Sequence, residues 1–568
     1  MLTTHTRPSL PRAGRSLGRS LGRPRLDFWF WIKAVVILAM AAFLLYPFSS
    51  LLTRSFFSKR EPGITLYNYT RFFSRPYYWT SLKNTAVVTF SSTLTCTLIG
   101  VLLAYLMTRY NIFGKKVLYI AIVMALMSPP FIGAYSWILL FGRAGFVTKL
   151  FAAIGIRTPT IYGKAGIVLV FTFHLFPYVY LYVSGALSNI DSSLEEASEN
   201  LGASKLRRLF TVTLPVVMPS ILAGAVMVFM TALADFGTPM LIGEGYTVLP
   251  VLVYNEYMSE VGGNANMASA LSVIIVGCSL SVLLVQKFYI ARRNYVMTAL
   301  RPPVEVPLHG WKRALATLPV ALVAFIGLLP QITVVVSSFI KTDFTGFVGG
   351  FSLDNYRTIA SRLGRNIANT YIFSIAAMVF IIAFGMLIAY LLVRKKGKVS
   401  SLIDLMVMFP YVIPGSVLGI CLIIAFNRKP IILTGTAAIM IISYVVRKLP
   451  YTVRSGSAFL TQTDPSIEEA SISLGVSPMK TFFTVIARLM LPGVLSGAVI
   501  SWITCINELS SSVMLYAGRT STIAVAIYQE VMRMSDGTAA ALASILTLTT
   551  VVSLLVLMRV TRGKVSVV

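Results

Sequence analysis

The chain has 568 residues, 56% of them hydrophobic and only 12% charged, yet its formal net charge is +29. A water-soluble surface of this size needs far more charge, so a soluble globular fold is excluded. The apolar runs are continuous rather than alternating, which excludes a membrane β-barrel and leaves an all-α polytopic membrane protein.

Residues 1–27 form a basic arm with Arg7, Arg12, Arg15, Arg19, Arg23 and Arg25 and the low-complexity stretch RSLGRSLGR. Its composition predicts a disordered cytoplasmic segment lying against anionic lipid, an attraction of about 1 kcal/mol per charge. Ala39-Met40-Ala41 resembles a leader-peptide cleavage site, but the apolar run continues to Leu52. That is too long for a signal core, so a retained first span is expected.

By length, about twelve spans of roughly 20 residues are expected in all. They fall near 28–52, 80–108, 117–141, 165–187, 216–236, 269–290, 314–340, 367–393, 401–426, 431–450, 493–515 and 538–558. If they alternate in direction, the basic clusters at Arg109/Lys115/Lys116, Lys205/Arg207/Arg208, Lys287/Arg292/Arg293 and Arg394/Lys395/Lys396/Lys398 share one side with the N-terminal arm. That side is cytoplasmic by the positive-inside rule, and both termini lie there. The net charge thus reflects membrane topology and calls for no nucleic acid. The segment 236–267 carries Glu244, Glu256 and Glu260 without Lys or Arg and faces out, although Arg54, Lys59, Arg60, Arg71 and Arg75 fall outside as well. Cys96, Cys278, Cys421 and Cys505 all lie within expected spans at unpaired spacing, as small core residues do. No metal is assigned.

Between the fourth and fifth spans stands SSLEEASENLGASKLRRLFTVTLPVVMPSILAG, and a shift of 273 lays 191–224 on 464–497 without a gap. Fifteen of the thirty-four positions are identical, which identifies an internal repeat. The echo continues at other offsets: LYNYTRF with LDNYRTI, and NTAVVTF with NTYIFSI. The expected organisation is a first repeat over 28–300 with its polar loop at 191–215, a linker at 301–313, and a second repeat over 314–568 with its loop at 464–488. The linker belongs to a basic, Pro-containing stretch, 292–313. Six spans in each half make the repeats parallel, related by a pseudo-two-fold along the membrane normal, with a solute path at their interface.

Each loop reads as a short helix, a glycine turn and a second short helix. It offers an apolar face and two carboxylates to a cytoplasmic partner in a helix-in-groove mode. An amphipathic loop resting at the lipid interface is the plainer alternative, and the gap-free duplication of the loop argues against it. Glu195-Glu196-Ala197 with Gly202, and Glu468-Glu469-Ala470 with Gly475, resemble the EAA coupling motif of permeases in binding-protein-dependent ABC importers. The resemblance implies that each copy inserts into one of two copies of a cytosolic ATPase, and that a solute-binding protein delivers cargo at the outer face of a bacterial inner membrane. The second copy departs from the first at Ala487-Arg488, where the first has Leu214-Pro215. No phosphate-binding GxxxxGK[ST] loop occurs, so ATP and Mg belong to the partner and this chain is neither an enzyme nor a cofactor binder. A six-plus-six secondary transporter is the rival class; it has no use for a repeated docking helix.

The fused arrangement and ALADFGTPMLIG are similar to ferric-iron permeases, while relatives of this design also serve phosphonates, sugar phosphates and thiamine. The shift of 273 carries Asp235 onto Glu508 near the outer ends of the fifth spans, and a shift of 274 carries Tyr254 and Glu256 onto Tyr528 and Glu530. Charges within spans usually face a cavity or a partner, so the first pair is expected to face across the path. Hard oxygen ligands suit a trivalent cation. Alternatively, Asp235 and Glu508 cap helices, and Glu256 and Glu530 touch the binding protein. His174 and the helically spaced Met218, Met227 and Met230 read as core residues. Met127-Ser128-Pro129-Pro130 and Phe409-Pro410-Tyr411 with Pro414 are expected to bend the third span of each half.

Overall fold

The computed structural model describes residues 28–259, 263–285, 305–343 and 346–560. The N-terminal arm, Glu260, the Lys287/Arg292/Arg293 cluster and linker residues 301–304 lie outside the described residues. The first half comprises α1 (Phe28–Ser55), α2 (Tyr67–Ser74), α3 (Pro76–Arg109), α4 (Lys115–Met127), α5 (Pro130–Ala153), α6 (Lys164–Ser188), α7 (Ser192–Asn200), α8 (Lys205–Ala234), α9 (Gly237–Ile242), α10 (Leu249–Met258) and α11 (Ala265–Val285). The second half repeats the series. Its helices are α12 (Gly310–Ser338), α13 (Asp354–Arg394), α14 (Lys398–Val412), α15 (Gly415–Phe426), α16 (Ala437–Thr461), α17 (Ser466–Ser473), α18 (Pro478–Ile506), α19 (Ser512–Leu515), α20 (Ile523–Met532) and α21 (Asp536–Val560). A hairpin of β1 (Ile340–Asp343) and β2 (Gly346–Phe351) follows α12.

Among the described residues ten helices are long and apolar enough to cross a membrane, or eleven if α14 and α15 count as one span bent by 111°. Twelve were expected. The bend falls at Pro414, and in the first half α4 stops at Met127 so that Pro130 can open α5. A proline lacks the N–H a continuing helix needs, and the residue before it is pushed to extended backbone. The helix expected at 431–450 instead runs from Ala437 to Thr461 and carries Arg447, Lys448 and Arg454, charges that no apolar span holds unpaired.

Three helices form the core of each half: α3, α6 and α8 in the first, α13, α16 and α18 in the second. They meet at paired glycines. A Cβ on Gly100 or Gly224 would lie 2.7 Å from Val179 Cβ or 2.9 Å from its Cα, and one on Gly385 or Gly497 would collide with Thr452, which is Val179 shifted by 273. Small residues let these backbones approach closely. Gly497→Ala is therefore expected to destabilise by about 1–3 kcal/mol through overpacking. Gly277→Ala, with nothing within 4 Å of its Cβ, should be neutral, as a thermal denaturation series in detergent would record.

The first span of each half packs on the other half: α1 lies against α15, and α12 against α4 and α5, while also packing on α21 of its own half. The short sequence echoes are ties between side chains and backbone that fix these spans. Asn68 Nδ2 donates to the carbonyls of Ser55 and Phe57, and Asn355 Nδ2 to those of Ser338 and Ile340. Beside them the Tyr69–Ser55 and Tyr356–Ser338 hydroxyls pair at 2.7 and 2.8 Å. Asn84 Nδ2 donates to Thr247 O while Thr85 accepts from Leu249 N; Asn369 and Thr370 do the same for Ser521 and Ile523.

Candidate functional site

Both polar loops lie at the basic end of the bundle, beside Arg109 and Arg394. In the first, Asp191 accepts from Ser193 N at 3.0 Å and starts α7; Gly202, at φ +79°, turns the chain; Ser204 caps the next helix. In the second, Asp464 accepts from Ser466 N at 2.9 Å, Gly475 turns at φ +83°, and Ser477 caps. The Ser466 N–H holds the Asp464 carboxyl below the usual carboxylate range. A π-helical turn follows each loop at the same shift, Leu209–Thr213 and Phe482–Ile486, the kind of irregularity that often marks functional segments.

The two carboxylates of each loop part company, which corrects the expectation that both face solvent. Glu195 turns inward to Arg109 and accepts from Thr213 Oγ1 at 2.8 Å. Glu468 pairs with Arg394, 3.6 Å away, and accepts from the Tyr390 hydroxyl. These glutamates anchor the loops to α3 and α13. Glu196, Ala197, Glu469 and Ala470 are exposed and Glu196 and Glu469 make no ion pair among the described residues. Around them stand bare apolar side chains: Leu201 (88% exposed), Leu206 and Phe210 in the first loop, Leu474 (84%), Met479 and Phe483 in the second.

The start of each first span braces the opposite clamp. Val306 N donates to Arg109 O, and Arg313 Nε donates to Asn111 O while its guanidinium covers Phe113 at 3.9 Å. On the other side Trp29 stacks on Tyr390 at 4.3 Å and meets Phe482 edge-on. Sequence reasoning missed both braces, since their partners lie far apart in the chain.

Toward the opposite end, Tyr254 and Tyr528 approach each other, with Phe236 packed against both. Two residues related by a two-fold can touch only beside its axis, so this pair marks the centre of the molecule. Asp235 and Glu508 form no such pair. Asp235 accepts from Gly237 N and Thr238 N at 3.3 and 3.1 Å and so caps α9. Glu508 is buried against Arg447 and Lys448, 2.7 Å from Lys448 Nζ, and accepts from Ser511 N. Glu256 accepts from the Tyr78 hydroxyl at 2.9 Å, and Glu530, also buried, pairs with Arg533 and lies 4.0 Å from Arg362. The shift of 273, carried upstream, would have signalled the asymmetry: it lays Arg447 and Lys448 on His174 and Leu175.

Two sequence-related helical halves, each with a docking-shaped loop beside the arginine that ends its long core helix, define a duplicated membrane permease fold. The family described as the binding-protein-dependent transport system inner membrane component matches at 97–295 and again at 381–565, once in each half, and the chain belongs to it. Similar proteins include the "Ferric transport system permease protein FbpB" of Actinobacillus pleuropneumoniae, 30% identical over 75% of this chain and 63% of that protein. The "Putative ferric transport system permease protein FbpB 1" of Haemophilus influenzae is 28% identical over 70% of this chain and 64% of its own length. The "Probable ABC transporter permease protein y4fN" of Sinorhizobium fredii is 25% identical over 89% and 91%. The chain thus spans under two thirds of the length of the two ferric relatives.

Proposed function

We propose that the chain is the membrane permease of an ATP-driven importer that passes ferric iron, delivered by an extracytoplasmic binding protein, into the cytoplasm. The observation that carries this reading is the pair of loops, alike in sequence, cap and exposed apolar face, each tied by one ion pair to the core of its own half. A cytosolic ATPase subunit engages each loop at Glu196-Ala197 or Glu469-Ala470 and the neighbouring leucine. ATP and Mg stay on those subunits. Closing the two subunits moves α7 and α17 together, and the Arg109–Glu195 and Arg394–Glu468 clamps pass the motion to α3 and α13. The basic end faces the cytoplasm in agreement with the positive-inside rule.

Ferric iron as cargo rests on the names of the similar proteins and on the phenol pair at the axis. One observation favours an anionic solute instead: Arg447 and Lys448 outnumber Glu508 in the buried cluster. Uptake of radioactive ferric iron by vesicles holding the chain, its ATPase and its binding protein tests the assignment. ATP-dependent accumulation of iron, with none of phosphate or phosphonate, is expected. Accumulation of the oxyanion alone would overturn iron, and failure to copurify any ATPase would overturn the importer reading.

A further inference from the structure

The axis is marked a second time, deeper in the bundle. Tyr178 on α6 and Tyr451 on α16 are equivalent under the shift of 273 and lie within electrostatic reach of each other, so both stand beside the pseudo-two-fold. Tyr411 joins them from α14: its ring meets Tyr451 edge-on at 5.9 Å, and its hydroxyl donates to Met227 Sδ on α8 at 3.6 Å, crossing from one half to the other. Tyr182, one turn along α6 from Tyr178, is also within reach of Tyr411. All four side chains are partly exposed.

Packing alone does not explain this group. A buried tyrosine ordinarily pairs its hydroxyl. Here the Tyr178 hydroxyl lies near Thr231 and Tyr411 donates to a thioether, while the hydroxyls of Tyr182 and Tyr451 have no protein hydrogen-bond partner among the described residues. Several phenol oxygens therefore gather beside the pseudo-two-fold, where the importer reading places the path of the solute. Oxygen donors suit a hard cation, and the thioether of Met227 is already engaged by the Tyr411 hydroxyl.

We propose that Tyr178, Tyr182, Tyr411 and Tyr451 form a transient station for a hard trivalent cation on the translocation axis, below the Tyr254–Tyr528 pair. The inference rests on the importer reading and adds to it the residues that contact the cargo. A phenol that takes the ion gives its proton to water; nothing is oxidised or reduced, and the proton returns when the ion moves on.

The test uses the purified chain with its ATPase, and ferric ion supplied as ferric citrate. Wild type should develop the visible phenolate-to-iron charge-transfer band, and the double variant Tyr178→Phe/Tyr451→Phe should lose it. The same variant should lose roughly tenfold or more of ferric uptake, the scale on which lost metal contacts act. Copurification of the ATPase is the check that it folds, and Tyr411→Phe alone is a second, milder variant that should weaken both signals. Wild-type uptake and an unchanged band in the Phe variants would overturn the station while leaving the importer reading intact. Absence of any ferric uptake by wild type, with the ATPase still bound, would overturn both iron as cargo and the station.

Discussion

Leu201→Asp combined with Leu474→Asp should release the ATPase from the purified chain and reduce uptake by about 100-fold or more. These leucines are the most exposed apolar side chains of the two loops, at 88% and 84%, so the folded chain loses almost no packing when they change. A docked partner groove would remove each from water, which is worth about 1.5–3 kcal/mol per leucine. Aspartate forfeits that gain and must also shed water in an apolar groove without a hydrogen-bond partner. Either substitution alone leaves one loop engaged, so a single variant should retain a weakened complex. Pull-down of a tagged ATPase, measured beside uptake, separates the outcomes. Full assembly of the double variant would show that the loops dock by other residues.

The duplication was legible because polar loops in an apolar chain stand out, and because a constant shift of 273 preserved glycine, glutamate and proline together. The Asn-Tyr and Asn-Thr echoes were legible as pattern but not as purpose. Only the fold shows that Asn68 and Asn355 close the ends of their first spans and that Asn84 and Asn369 hold the segments before α10 and α20. The inward turn of Glu195 and Glu468 was hidden, since Arg109 lies 86 residues from Glu195 and loop periodicity carries no record of so distant a partner. Tyr254 and Tyr528 were singled out, and they meet. Asp235 and Glu508 were singled out by the same logic, yet each is satisfied within its own half. Symmetry in sequence places two residues at one depth; it does not say that both reach the axis. The apolar run at 431–450 concealed Arg447 and Lys448 for a related reason: average hydrophobicity over a window dilutes two charges that the fold concentrates on one carboxylate.

That concentration sets the last expectation. Glu508→Gln leaves Arg447 and Lys448 side by side, 17% and 9% exposed at the side chain, with no anion in contact among the described residues. Breaking a buried ion pair by removing one member costs about 3–5 kcal/mol, because the remaining charge is stranded away from water. Loss of most monodisperse protein in detergent is expected, with a large drop in thermal midpoint for what remains. Asp235→Asn should do little, since asparagine caps a helix about as well as aspartate. The first half shows how the site can do without the two cations: His174, Leu175 and Asp235 occupy the positions of Arg447, Lys448 and Glu508. Exchanging the whole set, Arg447→His with Lys448→Leu and Glu508→Asp, should therefore recover most of the stability that Glu508→Gln removes. If the exchanged chain is stable but no longer transports, the charges serve the moving solute and not the fold alone. If Glu508→Gln is as stable as the parent, the cluster is hydrated and its cations face the path, which would turn the cargo assignment toward an anion.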